Sequence, residues 1–368
     1  DYGRSGLMSR LSDPFWFQSF GCVLGMDWHS SGITTSVMGA LKKSLQQRQN
    51  ELGIYVCGGR GKHSRKTPVE LLEVGNRTGL NGNELARCSR LSAKIDNTAV
   101  QDGFQLYLHS FIVTDTGEWV VVQQGMNDSN GMARRYHWHS ENVSSFLNDP
   151  HTGVCGQNQG KILNLAHSEA GATRDGIIEI SQENPIHILK EARSLTMPRH
   201  HDVRAKDVNL KRLGSILVTA QETGVLDFED LLLLKGLGPR TLQSLTLVSE
   251  VIHGTPSRFT DPARYSMAHG GKDGYPFAVP TFTYDETIET LNRAIDKAKV
   301  DLSDKKKAIE SLTKVSQRNE HQFMPKEGGF EELLEHEQRT SYAFGGRTVF
   351  GFSEPPMDDP DTGQLSLF

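Results

Sequence analysis

The sequence lacks any uninterrupted apolar run near the roughly 20 residues that a membrane helix requires, which argues against an integral helical membrane protein. It has only four cysteines, with no Cys-x-x-Cys pair and no zinc-like spacing. We therefore predict neither a zinc module nor a disulfide scaffold, and we expect the protein to reside in the reducing cytoplasm. Initiator methionine is also absent, because the chain begins at Asp1, so we expect a fragment that lacks its true N-terminus.

Charge of one sign is not in excess, since 40 basic residues oppose 45 acidic ones for a net charge of −5. Composition alone therefore does not indicate a nucleic-acid partner, and the distribution of charge carries more information than the sum. The eight basic residues between Gly58 and Lys94 face only three acidic ones, which makes this stretch locally cationic.

The length of 368 residues suggests about two domains with appendages. We predict an α+β fold: an antiparallel-sheet domain over residues 1–200, then a small all-α domain over residues 205–280. A charged helical segment, either one long helix or a helical pair, follows over residues 281–320, and residues 321–368 are expected to form a disordered tail. The clearest hairpin pairs residues 104–114 with 118–124, because apolar residues on both sides flank an Asp-Thr-Gly turn.

Residues 231–241 (LLLLKGLGPRT) match the pattern of a helix-hairpin-helix motif. We expect Gly236 and Gly238 to allow a tight turn with positive φ, and Leu237 to anchor the turn in a core. The amides that follow lie at a helix N-terminus, where a phosphate is favoured, and Arg240 adds a cation beside Thr241. Five positions fit in order, so the pattern favours a DNA-backbone contact over an ordinary helical hairpin.

Asp261 follows the hairpin roughly where helix-hairpin-helix DNA glycosylases carry a catalytic aspartate. Its separation from Arg240 is a few residues too long, and the preceding helices fit that family poorly. We therefore predict a structural role, as a helix cap before Pro262.

The last five residues, 364–368 (QLSLF), resemble the bacterial sliding-clamp-binding motif. In such a peptide the apolar side chains fill a pocket and the glutamine orients the chain. The predicted clamp contacts are Gln364, Leu365, Leu367 and Phe368. A chance apolar ending is the alternative, and it explains a five-of-five terminal match less well.

A basic glycine loop (residues 58–68, GGRGKHSRKTP) follows a short apolar strand. It is not a P-loop, because Val56 replaces the first glycine and His63 replaces the Ser or Thr that would meet magnesium. Two interpretations remain open: a phosphate or nucleic-acid loop that uses Lys62, Arg65 and Lys66, and a solvated basic turn.

Candidate catalytic residues are less clear. Asp27 with His29, and His137 with His139, place polar groups two apart, which on a strand puts them on one side where they could share a metal. Asp102 lies beside the predicted hairpin. The candidate set is Asp27, His29, Asp102 and His137, with a divalent metal possible if the protein is a nuclease. The metal itself and any other cofactor stay unknown, and a hydrogen-bonded core histidine is the common alternative.

Several segments together resemble the prokaryotic domain-of-unknown-function family 763 over about residues 9–280. The segments that carry the resemblance are residues 10–18 (RLSDPFWFQ), 27–32 (DWHSSG), 53–68 (GIYVCGGRGKHSRKTP), 101–103 (QDG) and 134–138 (RRYHW). The resemblance implies no particular activity. The clamp-like tail lies outside the region that it covers.

The motifs lead to two main hypotheses. The first is a nucleoid-associated, cytoplasmic DNA-binding protein of replication-linked repair or recombination, a nuclease or glycosylase that the sliding clamp recruits. The second is a non-enzymatic adaptor that binds DNA structures. A nucleotide- or RNA-processing enzyme that uses the glycine loop is a weaker third, because it leaves the tail unexplained. DNA and the clamp are the expected partners, with backbone contacts and little sequence specificity.

Overall fold

A computed structural model describes residues 2–26, 32–194, 210–254, 259–263, 281–298 and 301–322, with a few short stretches near the C-terminus (335, 338–339, 347–348 and 351–352). Two of the predicted catalytic residues, Asp27 and His29, lie outside the described residues. The predicted clamp-binding peptide, residues 364–368, lies outside them as well.

The helices account for most of the described chain. They are α1 (Gly3–Ser12), α2 (Pro14–Val23), α3 (Ile33–Leu45), α4 (Gln49–Leu52), α5 (Thr67–Thr78), α6 (Gly82–Lys94), α7 (Gly171–Gln182), α8 (Pro185–Ser194), α9 (Leu210–Thr223), α10 (Phe228–Leu233), α11 (Pro239–His253), α12 (Thr281–Lys297) and α13 (Leu302–Gln322). None of the helices within these described ranges is long and apolar enough to cross a membrane.

The strands form one main sheet and two small ribbons. They are β1 (Ile54–Arg60), β2 (Gln105–Thr114), β3 (Trp119–Met126), β4 (Ala133–His139), β5 (Gly153–Cys155), β6 (Lys161–Ile162), β7 (Phe259–Thr260), β8 (Arg347–Thr348) and β9 (Gly351–Phe352). The main sheet has the order β1-β2-β3-β4-β5, and all of its neighbours are antiparallel. This confirms the predicted α+β class and the β2–β3 hairpin.

Local signals in the sequence explain where several helices begin. Asp13 caps α2, since its carboxylate accepts from the amides of Phe15 and Trp16 at 2.7 and 3.1 Å. Pro68 lies in the first turn of α5, where its missing N–H costs no hydrogen bond. Asp227 caps α10 in the same way as Asp13 by accepting from the amide of Asp230 at 2.8 Å.

Helices cover both faces of the main sheet, because alternate strand residues point to opposite sides. The first face carries Phe111 and Val121, which pack with α5, α6, α7 and the later helices α9–α11. The second face carries Ile112 and Val122, which belong to a separate cluster with α1, α2, α3, α12 and α13. The arrangement is helix–sheet–helix, with a hydrophobic core on each side.

The helical segment after residue 210 shares its core with the sheet. Leu213, Leu231 and Leu242 belong to the same buried cluster as Phe111 of β2. The predicted domain boundary near residues 200–205 lies outside the described residues. The charged segment predicted over residues 281–320 is a helical pair, α12 and α13. Tyr284 of α12 and Leu312 of α13 belong to the second cluster.

Candidate functional site

The basic glycine loop leaves β1 through glycines in left-handed backbone conformations. Gly58 has φ +85° and Gly59 has φ +131°, and a Cβ on Gly58 would collide with the main-chain oxygen of His109. A 3-10 turn over Gly61–Lys66 follows and leads into α5. The loop therefore lies over the end of β1, and all four of its arginine and lysine side chains are exposed: Arg60, Lys62, Arg65 and Lys66.

The predicted hairpin joins α10 to α11 by a short turn. Gly236 has φ +93°, and Leu237 is only 2% exposed, as expected for the anchor of the turn. Gly238 instead has an extended backbone at φ −132°, and a Cβ there would meet no atom within 4 Å. The prediction that both glycines need positive φ is therefore wrong for Gly238, where the turn has already straightened into the N-cap of α11.

The first turn of α11 places the remaining hairpin residues differently. Arg240 is exposed, so its guanidinium is available to a phosphate. Thr241 is 6% exposed, and its amide donates to the oxygen of Gly238 at 3.1 Å. Thr241 thus helps to form the helix start, and its side chain is buried.

A cavity of about 450 Å³ lies between the glycine loop, α6 and the hairpin, and we call it the hairpin cavity. Three cations line it, Arg65, Arg90 and Lys94, which we call the cavity cations. The other lining residues are Ser64, Pro68, Ser89, Ala93, Asn97, Thr98, Leu106, His109, Leu233, Leu237, Gly238 and Pro239. None of these described lining residues is acidic, so the hairpin cavity is electrostatically suited to an anion.

Polar contacts hold the hairpin against the sheet domain at this cavity. The Lys94 ammonium donates to the main-chain oxygen of Leu237 at 2.6 Å, and the Gln101 side-chain amide donates to the oxygen of Pro239 at 3.0 Å. At the other end of α10, Arg87 pairs with Glu229 at 3.0 Å. The glycine loop and the hairpin, which are far apart in sequence, therefore line one pocket.

A buried polar chain runs from the cavity into the first face of the sheet. Ser89 Oγ lies 2.8 Å from His109 Nε2, and His109 Nδ1 lies 2.6 Å from Gln123 Oε1. The Gln123 amide nitrogen in turn donates to Asp96 at 2.6 Å. Burial lowers the pKa of His109 to about 4, so its imidazole is neutral at neutral pH. Asp96 lies in a π-helical turn, Ile95–Ala99, that continues α6 beside the cavity.

The structure separates the two described members of the predicted catalytic set. Asp102 lies on the first face, where its carboxylate accepts from Arg134 at 2.8 Å and from the Tyr136 hydroxyl at 2.7 Å. His137 points to the second face, because it alternates with Tyr136 along β4. Both of its ring nitrogens are engaged there, Nδ1 with the oxygen of Leu11 at 3.0 Å and Nε2 with Arg135 at 2.8 Å. The expectation that Asp102 and His137 share one catalytic site is corrected accordingly.

Asp261 has a structural role, although not as the predicted helix cap. Its carboxylate accepts from Arg134 at 2.8 and 3.0 Å, and both side chains are fully buried. It also accepts from the amide of Ala263, but residues 261–263 are not helical. Arg134 therefore joins Asp102 and Asp261 in one buried ionic cluster, which ties the chain after α11 to the sheet.

One group of side chains within the described residues could hold a cation. Glu118, His139 and Glu141 offer ligand atoms that all lie within 4.8 Å of one another, and His139 Nε2 lies 2.9 Å from Glu118. The predicted pairing of His139 with His137 around a metal does not form, since the ring nitrogens of His137 have other partners. His139 faces the second side of the sheet, so this group lies away from the hairpin cavity.

The sequence indicated that the region around the cavity is cationic, but it did not indicate which residues form the cavity floor. Arg90 and Lys94 were among the basic residues of the cationic stretch. Ser89, His109 and Gln123 come from a helix and two strands, and no spacing in the sequence links them. Only the β2–β3 register, which pairs His109 with Gln123, and the packing of α6 on the sheet bring them together.

The fold and the cavity define an α+β protein with a cation-lined pocket between an antiparallel sheet and a helical hairpin. The family model described as "Protein of unknown function (DUF763)" matches residues 1–279, and the chain belongs to this family. The match confirms the resemblance that the sequence motifs indicated. No curated protein matches the chain, and no solved structure matches it.

Proposed function

We propose that the protein binds the DNA backbone at the hairpin cavity and acts in replication-linked repair or recombination, with the sliding clamp as its recruiting partner. The observation that carries the proposal is the juxtaposition of the glycine loop and the helical hairpin. The hairpin was predicted as a phosphate contact, and a phosphate loop was one of the two open interpretations of the glycine loop. Both segments line one pocket whose described walls contain three cations and no carboxylate.

The physical basis is the match between this surface and a phosphate chain. Exposed Lys62, Lys66 and Arg240 flank the cavity cations, so successive phosphates can be neutralised along the loop and the hairpin. The N-terminus of α11 carries the positive end of the helix dipole, which favours a negative charge there, although the amides of Thr241 and Leu242 already donate to the oxygen of Gly238. Contacts of this kind give affinity and orientation without sequence specificity.

The clamp-binding role rests on the sequence of residues 364–368 (QLSLF). A clamp-binding peptide supports a role for the DNA-binding activity in replication rather than in transcription. The non-enzymatic adaptor stays a candidate, because the two described residues of the predicted catalytic set, Asp102 and His137, face opposite sides of the sheet.

Fluorescence anisotropy with labelled duplex and single-stranded oligonucleotides over a salt series tests the DNA-binding proposal. We expect Arg65→Glu with Arg90→Glu to weaken binding at least tenfold, and to reduce the salt slope by about two, at roughly 0.9 per lost phosphate contact. Lys306→Glu is the matched control, because Lys306 is an exposed cation on α13 beyond the second face. Unchanged affinity in the Arg65–Arg90 double variant would contradict the proposal.

A further inference from the structure

Ser89 and His109 form a hydrogen-bonded pair in the floor of the hairpin cavity. Ser89 lies on α6 and His109 on β2, and 2.8 Å separates Ser89 Oγ from His109 Nε2. Both residues line the cavity, although they are only 2% and 4% exposed. The pair thus lies where an anion held by the cavity cations would approach it.

The neighbouring hydrogen bonds fix which nitrogen of His109 carries the proton. The Gln123 amide nitrogen lies 3.2 Å from the main-chain oxygen of Ser92, and a carbonyl oxygen can only accept. Gln123 therefore turns its own oxygen towards His109 Nδ1, at 2.6 Å, and that nitrogen must be the protonated one. Nε2 of the neutral ring is left as an acceptor, so the Ser89 hydroxyl donates to it.

The direction of this hydrogen bond, from the Ser89 hydroxyl to His109, is the one found between a nucleophile and its general base. A hydroxyl that binds phosphate would instead donate its hydrogen to the phosphate. The single hydrogen of Ser89 is directed at His109, so its oxygen presents lone pairs and not a donor to the cavity. Burial keeps His109 neutral at neutral pH, which leaves Nε2 able to take the proton. Gln123, itself held by Asp96 at 2.6 Å, orients the ring from behind.

We propose that Ser89 is a nucleophile towards the phosphorus of a phosphodiester bound in the hairpin cavity, with His109 as its general base and Gln123 as a positioning residue. The inference rests on the proposed DNA-binding function and names the reaction that the cavity would perform. The cavity cations would hold the non-bridging oxygens and stabilise the charge that develops on them in the transition state.

The reaction balances as a two-step hydrolysis. A bond forms between Ser89 Oγ and phosphorus while the bond from phosphorus to one ester oxygen breaks, and the Ser89 proton passes through His109 Nε2 to the leaving oxygen. Water then gives a proton to His109 and attacks phosphorus, the bond to Ser89 Oγ breaks, and the proton returns to Ser89. The sum is a phosphodiester and water giving a phosphomonoester and an alcohol, with no oxidant or reductant required.

Two probes of the whole chain test the inference. The first is hydrolysis of bis(4-nitrophenyl) phosphate, followed by release of 4-nitrophenolate in EDTA. We expect Ser89→Ala to abolish hydrolysis and His109→Gln to lower the rate by about 10²–10⁴-fold. The second is labelling with a fluorophosphonate, which should lose fluoride and attach through phosphorus to Ser89. The labelling is detected as a mass increase on the peptide that contains Ser89. Ser110→Ala is the control, a buried serine next to His109 whose side chain points to the opposite face.

The outcomes separate this inference from DNA binding. Hydrolysis and labelling that are lost in Ser89→Ala and retained in Ser110→Ala support the nucleophile. A wild-type chain that binds DNA but neither hydrolyses the diester nor reacts with the fluorophosphonate overturns it and leaves the binding proposal intact. Hydrolysis that persists in Ser89→Ala overturns it as well. The binding proposal has its own test, since unchanged DNA affinity in the Arg65–Arg90 charge reversal would contradict it.

Discussion

Lowering the pH from 6.5 to 4 is expected to destabilise the folded protein through His109 in particular. This imidazole is buried, and burial lowers its pKa from 6.5 to about 4 because the charged ring would lose its hydration. The cavity cations line the same pocket as His109, and Asp96 lies behind Gln123. The unfolded chain binds the proton first, so the contribution of His109 to stability is complete above pH 6.5 and is lost as the pH falls towards 4.

The magnitude follows from the size of the pKa change. A difference of this size between the folded and unfolded states corresponds to about 3 kcal/mol of unfolding free energy, at roughly 1.4 kcal/mol per pKa unit. His109→Gln removes the titrating ring and retains a polar side chain facing Ser89. The difference in unfolding free energy between wild type and this variant should therefore shift by up to about 3 kcal/mol across the window.

Urea denaturation at half-unit pH steps from 4 to 7 measures that difference. Taking the difference cancels the acid titration that both chains share. His187→Gln is the control, because His187 is exposed on α8. Parallel stability curves for wild type and His109→Gln would refute the assignment of a buried neutral imidazole, and with it the base that the Ser89 inference requires.

Three further predictions concern other parts of the chain. Arg134→Met should destabilise the fold by about 3–5 kcal/mol in urea denaturation, since it leaves two buried carboxylates without a cation; a loss below about 1 kcal/mol would contradict the buried cluster. Gly236→Val should cost about 1–3 kcal/mol because of its positive φ, whereas Gly238→Ala should cost little, and equal costs would contradict the turn geometry. Deleting residues 364–368 should abolish binding to the bacterial sliding clamp in calorimetry without changing the unfolding free energy, and clamp binding that survives would contradict the tail motif.

The sequence was most informative where one element carries its own signal. Apolar residues on both sides of an Asp-Thr-Gly turn predicted the β2–β3 hairpin, and the glycine pattern predicted a turn between α10 and α11 with Leu237 buried. The polar cap of α10 and the proline that opens α5 are likewise local effects. Such features depend on contacts within a few residues, so they are readable before the fold is known.

Features that depend on tertiary packing were not predictable. Asp102 and His137 belong to one predicted catalytic set, yet strand alternation sends Tyr136 towards Asp102 and His137 away from it. The pairing of Ser89 with His109 depends on how α6 packs across β2, which no spacing encodes. The shared core of the sheet and the α9–α11 helices likewise emerges only when the apolar faces meet.

Amide hydrogen exchange with and without a bound single-stranded oligonucleotide tests the central claim most directly, because it locates the contact surface on the unmodified chain. DNA binding at the hairpin cavity predicts slower exchange in two segments that are distant in sequence, the Gly61–Lys66 turn and the first turn of α11 after Gly238. The exposed surface of α13 serves as the internal reference, and its exchange should not change. Protection confined to α12 and α13, or no protection in either cavity segment at a saturating oligonucleotide concentration, would contradict the account.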